Sequence, residues 1–205
     1  DKNRRGAAYV FRTTDGGATY GQVAKLTDAD AYYFGYSVAI DGNTVVVGAY
    51  YDDDGGSSSG SVYIFHTSDG GATYNEVAKL TASDAASYDY FGYSVAIAGN
   101  TIVVGASQHG NGGSGVAYVF RTSDGGATYA QVAKLTQADA ASWDNFGYSL
   151  AIDGDTLVIG AFGHSAGHIG AAYIFRTSDS GATYDQVAKL TAADGVAGDN
   201  IGWSV

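Results

Sequence analysis

Three adjacent carboxylates, Asp52, Asp53 and Asp54, precede Gly55 and are the first candidates for chemistry in this sequence. A hard cation such as Ca²⁺ needs several oxygens converging on one point. Consecutive side chains of an extended chain point opposite ways, so three adjacent Asp reach one ion only across a sharp turn. Two readings stand open, a Ca²⁺ site and a solvated acidic loop. Acidic pairs five residues apart recur at Asp84 and Asp89, Asp139 and Asp144, and Asp194 and Asp199; such recurrence favours turn capping over cation binding. His164 and His168 have the i, i+4 spacing that places two imidazoles on one metal only when the segment is a helix, and this segment is a glycine-rich loop. No Gly-x-Ser-x-Gly elbow, P-loop or dinucleotide fingerprint stands in its required strand-to-helix context, and no catalytic residue is expected.

The background for these residues is acidic and turn-rich. Asp and Glu outnumber Lys and Arg by 21 to 10 in 205 residues, which gives a formal charge of -11 and argues against a nucleic-acid or anionic-membrane partner. All the acids except Glu76 are Asp, the carboxylate that competes for backbone hydrogen bonds in turns and is a poor helix former. The 31 Gly have no three-residue period, and there is no Pro, Cys or Met, so collagen, a disulfide framework and thiol chemistry are all excluded. No apolar run approaches the roughly 20 residues of a membrane span.

One unit is repeated along the chain. Gly6-Ala-Ala-Tyr-Val-Phe11 recurs from Gly60, Gly115 and Gly170, at spacings of 54, 55 and 55 residues. Each copy continues through a Thr-x-Asp-x-Gly-Ala-Thr-Tyr turn containing Asp15, Asp69, Asp124 or Asp179, then a Val-Ala-Lys-Leu segment, then Phe-Gly-Tyr-Ser at Phe34, Phe91 and Phe146, degenerating at Ile201. Three copies run on into an apolar Val-Gly-Ala type segment, at Thr44, Thr101 and Thr156. The short runs rich in Val, Ile, Tyr and Phe, bounded by Gly, Asp and Asn, predict strands, and Asp41-Gly42, Ala98-Gly99 and Asp153-Gly154 predict tight hairpins between them. The expectation is an all-β fold, a β-propeller of tandem four-stranded antiparallel blades. It holds about four repeats of roughly 55 residues, approximately 6–59, 60–114, 115–169 and 170–205, with the first and last incomplete.

These residues resemble the FG-GAP repeat family, the blades of integrin alpha subunits and of many secreted or surface proteins. The name-giving pairs stand as Phe34-Gly35 with Gly48-Ala49, Phe91-Gly92 with Gly105-Ala106, and Phe146-Gly147 with Gly160-Ala161, while the third element, Pro, is replaced by Tyr50, Ser107 and Phe162. The resemblance implies a Ca²⁺ loop between Phe-Gly and Gly-Ala. Here that loop is cut to Asp41-Gly42-Asn43, Ala98-Gly99-Asn100 and Asp153-Gly154-Asp155, so no cofactor is expected, and Asp52, Asp53 and Asp54 are left as the Ca²⁺ candidates. The Thr-x-Asp-x-Gly-x-Thr-Tyr turn resembles the Asp-box hairpin of sialidase-type and other propellers, which makes Asp15, Asp69, Asp124 and Asp179 structural. A sialidase-like site would gather several Arg on one carboxylate, whereas Arg12, Arg121 and Arg176, with His66 in the remaining copy, occupy one equivalent place per repeat.

The chain starts and stops inside a unit, one Val-Gly-Ala type strand short of four full units. Truncation of a longer propeller, a strand supplied by a neighbouring molecule to give a ring or filament, and an open solenoid are the three readings of that count. The functional expectation is a non-enzymatic extracellular or cell-surface structural and adhesive protein that associates with itself. The alternative is a propeller module that binds an extracellular protein or glycan through the variable loops, around Tyr50 to Ser59 and Gln108 to Ser114, with Tyr50, Tyr51, His109 and His164 as the loop candidates. Exposed Tyr side chains at Tyr32, Tyr33, Tyr50, Tyr51, Tyr88 and Tyr90 could stack on sugars, against the competing reading that they pack between blades.

Overall fold

The structure, a computed structural model, describes residues 5–109, 113–164 and 167–205. The described residues contain no helix and form strands only. The first sheet is the two-stranded pair β1 (Ala8–Arg12) and β2 (Gly21–Leu26). Three four-stranded sheets follow, each an antiparallel meander in chain order. The second holds β3 (Ser37–Asp41), β4 (Thr44–Ala49), β5 (Ser61–His66) and β6 (Asn75–Leu80). The third holds β7 (Phe91–Ala98), β8 (Thr101–Ala106), β9 (Val116–Arg121) and β10 (Ala130–Leu135). The fourth holds β11 (Phe146–Asp153), β12 (Thr156–Ala161), β13 (Ala171–Arg176) and β14 (Asp185–Leu190). Gly42, Gly99 and Gly154 take φ of 54°, 54° and 52° in the hairpins that join the first two strands of each full sheet, as the sequence expects of these turns.

The last Phe-Gly type segment differs from expectation. Ile201 makes a single parallel bridge to Gly170 and no strand, whereas in the three full sheets the equivalent segment is held by its hairpin partner, β4, β8 or β12.

Alternate residues of each strand point to opposite faces, and the sheets stack through them. Ala8, Val10 and Leu26 of the first sheet meet Val45, Val47, Tyr63 and Phe65 of the second. Val46, Val62, Ile64 and Leu80, on the opposite face of the second sheet, meet Phe91, Ile102, Val104, Tyr118 and Phe120. Val103, Ala117, Val119 and Leu135 meet Phe146, Leu157, Ile159, Tyr173 and Phe175 in the same way. Every interface thus joins an aliphatic face to a Tyr/Phe face, and burying each such large side chain contributes roughly 1.5–3 kcal/mol. The Phe rings lie edge-on to their neighbours, as Phe91 does to Tyr118 with centroids 5.6 Å apart.

The Phe-Gly and Gly-Ala signatures have a direct physical cause. A methyl group added to Gly48 would lie 2.1 Å from the Gly92 carbonyl oxygen, one added to Gly105 would lie 1.9 Å from that of Gly147, and one added to Gly160 would lie 2.0 Å from that of Gly202. The Gly-Ala glycine of one sheet therefore receives the Phe-Gly carbonyl of the next, with no room for a side chain. The Ser of each Phe-Gly-Tyr-Ser fixes that carbonyl by donating its hydroxyl to it: Ser37 Oγ to Gly92 O at 2.8 Å, Ser94 Oγ to Gly147 O at 2.6 Å, and Ser149 Oγ to Gly202 O at 2.7 Å.

Candidate functional site

A polar cluster recurs at the outer strands of each full sheet. It is built on a cross-strand pair set by register: Tyr63 faces Lys79, Tyr118 faces Lys134 and Tyr173 faces Lys189. Each ammonium lies over its Tyr ring, 4.9, 5.7 and 5.7 Å from the centroid. The loop entering the sheet adds an acid. Tyr118 Oη donates to Asp84 at 2.7 Å and Lys134 Nζ donates to its other oxygen at 2.5 Å. Tyr173 Oη and Lys189 Nζ do the same to Asp139, at 2.9 and 2.5 Å. The loop between the second and third strands adds a histidine: His109 stands 3.0 Å from Lys134 and 2.9 Å from Asp89, and His164 stands 2.7 Å from Lys189 and 3.0 Å from Asp144.

In the second sheet Asp52 takes the histidine's place. It accepts from Tyr63 Oη at 2.8 Å and pairs with Lys79 at 3.1 Å, while Asp54 pairs with Lys79 and accepts from Ser61 Oγ at 2.9 Å. Asp53 faces elsewhere and accepts the Ser58 N–H at 2.8 Å. The three Ca²⁺ candidates are thus not brought to one point: two converge on an ammonium and the third closes a turn. Among the described residues, no group of three or more His, Cys, Asp or Glu is arranged to hold a metal ion.

The electrostatics follow from these contacts. Burial pushes the Asp84 and Asp54 carboxyls up, but hydrogen bonds from Lys134 with Tyr118, and from Lys79 with Ser61, outweigh it and hold both below the ordinary carboxylate value. At Asp139 the Lys189 hydrogen bond is the dominant cause of the same depression. Burial lowers the Lys79 ammonium, yet its bonds to Asp54 and Asp52 more than offset that and keep it charged. Burial, then the neighbouring acid, pushes the hydroxyls of Tyr63, Tyr118 and Tyr173 far above the usual tyrosine range. The clusters bind the crossing loops to the outer strands.

The four box turns are alike. Asp15 accepts from the Thr13 hydroxyl at 2.7 Å, the Thr19 N–H at 2.9 Å and the Thr19 hydroxyl at 2.6 Å, and Asp69, Asp124 and Asp179 repeat the set with Thr67 and Thr73, Thr122 and Thr128, and Thr177 and Thr183. The threonine hydroxyl bonds, foremost among the causes, hold all four carboxyls far below the ordinary value. The recurring Arg position packs on the next unit's turn, with Arg121 Nη1 donating to the Ser180 carbonyl. The acids of the recurring pairs close turns too: Asp89, Asp144 and Asp199 each accept, at 2.8 Å, the N–H three residues earlier, from Ala86, Ala141 and Val196.

The aromatic residues divide into packed and free. Tyr50 and Tyr51 are half-buried in a ring cluster, with Tyr50 4.3 Å from Tyr36 and Tyr51 stacked at 4.7 Å on Tyr33. The packing runs on from sheet to sheet through Tyr36, Tyr93, Tyr148 and Trp203, at centroid spacings of 5.0, 4.9 and 4.8 Å. Tyr36 and Trp203 in that line are 47% and 55% exposed but have a ring neighbour; Tyr88 and Trp143, 45% and 58% exposed, stand outside it. Of the loop candidates, His109 and His164 belong to the polar clusters, and residues 110–112 of the second variable loop lie outside the described residues; His168, the i, i+4 partner of His164, is exposed. Sequence reasoning missed the Lys–Tyr–Asp clusters; the recurrence of Tyr and Lys in adjacent strand segments was the available signal. It also missed Trp143.

A family model described as FG-GAP repeat matches residues 20–65, 74–120 and 129–175. No curated protein matches the chain. Among solved structures, the crystal structure of the Saccharomyces cerevisiae Sqt1 is similar over 78% of this chain and 36% of its own, at 11% identity and a TM-score of 0.48. This chain therefore spans just over a third of that one. No helix among the described residues is long and apolar enough to cross a membrane.

Proposed function

We propose that this chain, which belongs to the FG-GAP repeat family, is a non-enzymatic structural and adhesive module of the cell exterior that assembles end to end with further copies of itself. The observation carrying this reading is that the two halves of the repeated interface stand uncovered at opposite ends of the stack. Tyr9 and Phe11 of the first sheet are 51% and 55% exposed, whereas their counterparts Tyr63, Phe65, Tyr118, Phe120, Tyr173 and Phe175 are buried. Leu190 of the last sheet is 48% exposed, whereas Leu26, Leu80 and Leu135 are buried at the same place in the unit. One end therefore offers a Tyr/Phe face and the other the aliphatic face that such a face covers inside the chain. The first end also has an edge: among the described residues β1 pairs with β2 alone, and a cleft of about 510 Å³ beside it is lined by Ala8, Val10, Val38, Ile40 and Val45. Joining unlike ends is a heterologous contact, which propagates into a ring or a fibre.

The non-enzymatic reading is supported by the way the acids, lysines and histidines are consumed by one another in clusters distributed over successive sheets. The extracellular reading is supported by the family's occurrence in secreted and surface proteins. Sedimentation velocity over a concentration series tests the assembly. The native chain is expected to grow with concentration, and Phe11→Asp and Leu190→Asp, both at exposed positions, are expected to stay monomeric and folded. A native chain that remains monomeric up to its solubility limit overturns the reading, as does assembly of either variant at the native concentration.

A further inference from the structure

Tyr88 and Trp143 occupy equivalent places in neighbouring units, one residue before Asp89 and Asp144, and both have a backbone that large side chains avoid. Their φ values are 70° and 72°, in the left-handed region where a bulky residue is an outlier. The corresponding residue of the last copy is Gly198, at φ 92°. The three share one backbone hydrogen bond: Tyr88 N–H to Ser57 O at 2.8 Å, Trp143 N–H to Gly113 O at 3.1 Å, and Gly198 N–H to Gly167 O at 2.8 Å. The turn therefore forms with glycine, and the aromatic ring is not needed to build it. Burial does not explain the ring either, since both side chains are about half or more in solvent. A strained conformation kept without a packing return points to function.

From this we infer that Tyr88 and Trp143 are paired contact points for neutral carbohydrate. The C–H groups on one face of a sugar ring carry partial positive charge and fit the negative face of an aromatic ring, and Trp presents the largest such face. Each ring stands on a turn already closed by the carboxylate beside it, through the 2.8 Å bonds from Ala86 to Asp89 and from Ala141 to Asp144, so little freedom is lost on binding. The surroundings select the ligand class. Residues 81–90 and 136–145 contain no Lys or Arg and offer Ser87, Ser142 and Asn145 as partners for hydroxyl groups, while Asp89 and Asp144 are buried in their turns. A sulfated or sialylated glycan, like a nucleic acid, meets two acids in each loop against the single lysine, Lys134 or Lys189, that pairs with one of them. A protein partner would need an apolar surround to exclude water around an anchor ring, and these loops supply polar side chains instead. One ring on each of two adjacent units gives two weak contacts to one chain, whose combination raises affinity without new contacts.

The test uses the whole chain on an array of neutral and acidic oligosaccharides, followed by titration of the best neutral oligomer against the native chain, Tyr88→Gly and Trp143→Gly, with melting curves for all three. Retention of a neutral oligosaccharide is expected, with affinity reduced at least tenfold in each variant while the melting temperature stays level or rises, because glycine is the residue the turn prefers. The inference is overturned if no neutral oligosaccharide is retained, if only acidic glycans bind, or if the variants bind as the native chain does. A fall in melting temperature in both variants overturns it as well, since the rings would then have a structural role.

Discussion

Replacing Gly105 by Ala tests the contact that gives the repeat its signature. The new methyl group would sit 1.9 Å from the Gly147 carbonyl oxygen and 2.3 Å from Ser94 Oγ, where 3.4 Å is the onset of ordinary contact. Ser94 can swing away, at the loss of its 2.6 Å hydrogen bond, about 1 kcal/mol. The carbonyl cannot, because it belongs to β11 next to the fully buried Phe146. The strands must part by roughly 1.5 Å, and overpacking of this kind costs about 1–3 kcal/mol more, drawn from the cluster of Val103, Val119, Leu157, Ile159 and Phe175. The expected total is about 2–4 kcal/mol. Conformational strain contributes nothing, since Gly105 lies outside the left-handed region, and in open space Ala would stabilise the strand. Gly70→Ala is the opposite case: at φ 72° with nothing within 4 Å, it is expected to lose only the conformational term, roughly 1–2 kcal/mol. Urea unfolding followed by circular dichroism, and by fluorescence of Trp203 beyond the contact, measures both. A loss below about 1 kcal/mol for Gly105→Ala, or one no larger than for Gly70→Ala, refutes the steric account.

Leu135→Ala and Leu190→Ala alter the same place in successive units, one buried at 4% and one exposed at 48%. Urea midpoints of the monomer are expected to give about 2–4 kcal/mol for the first and under about 0.5 kcal/mol for the second. Lys79→Met leaves the buried Asp52 with only Tyr63 Oη as its strong donor and is expected to cost roughly 1–3 kcal/mol in thermal or urea unfolding. The folded carboxyls of Asp15, Asp69, Asp124 and Asp179 lie below their ordinary value of 3.8, so the stability they contribute is fully present above that pH and is lost as pH falls through the lower folded values. Melting temperature should therefore be flat toward neutrality and fall on the acid side of pH 3.8, with a shallower acid limb in a double Asp124→Asn, Asp179→Asn variant.

The repeating unit was legible in the sequence because residue type at fixed spacing determines it. Gly at a hairpin, Asp two residues after Thr, and an apolar run four or five residues long each act locally, whatever the neighbouring units do. The clusters were not legible because they depend on register. Tyr63 comes opposite Lys79 only after a shift between Ile64 and Phe65, and the same irregularity recurs between Val10 and Phe11 and between Ile174 and Phe175. Exposure was hidden for a different reason. Tyr9 and Tyr173 have nearly the same local sequence, and only the presence of a preceding sheet separates a half-exposed ring from a buried one. The Tyr50 and Tyr51 rings looked available and are packed, whereas the availability of Trp143 comes from a backbone sign that Gly198 in the last copy was the one residue to hint at.

The acidity of the chain takes a different meaning once its donors are located. A count of 21 acids against 10 bases invites a search for bound cations. Yet four of the acids are satisfied by threonine hydroxyls and backbone N–H groups in the box turns, and Asp52, Asp54, Asp84 and Asp139 by the lysines of their own sheets. Lys79 stands among Asp52 and Asp54 where a metal would have to stand, so the charge a cation would supply is already covalently part of β6. Carboxylates bound in this way neither require an ion nor invite a phosphate. The formal charge of -11 that remains over the whole chain disfavours acidic polymers, which suits an exposed indole or phenol to a ligand with hydroxyl groups and no charge.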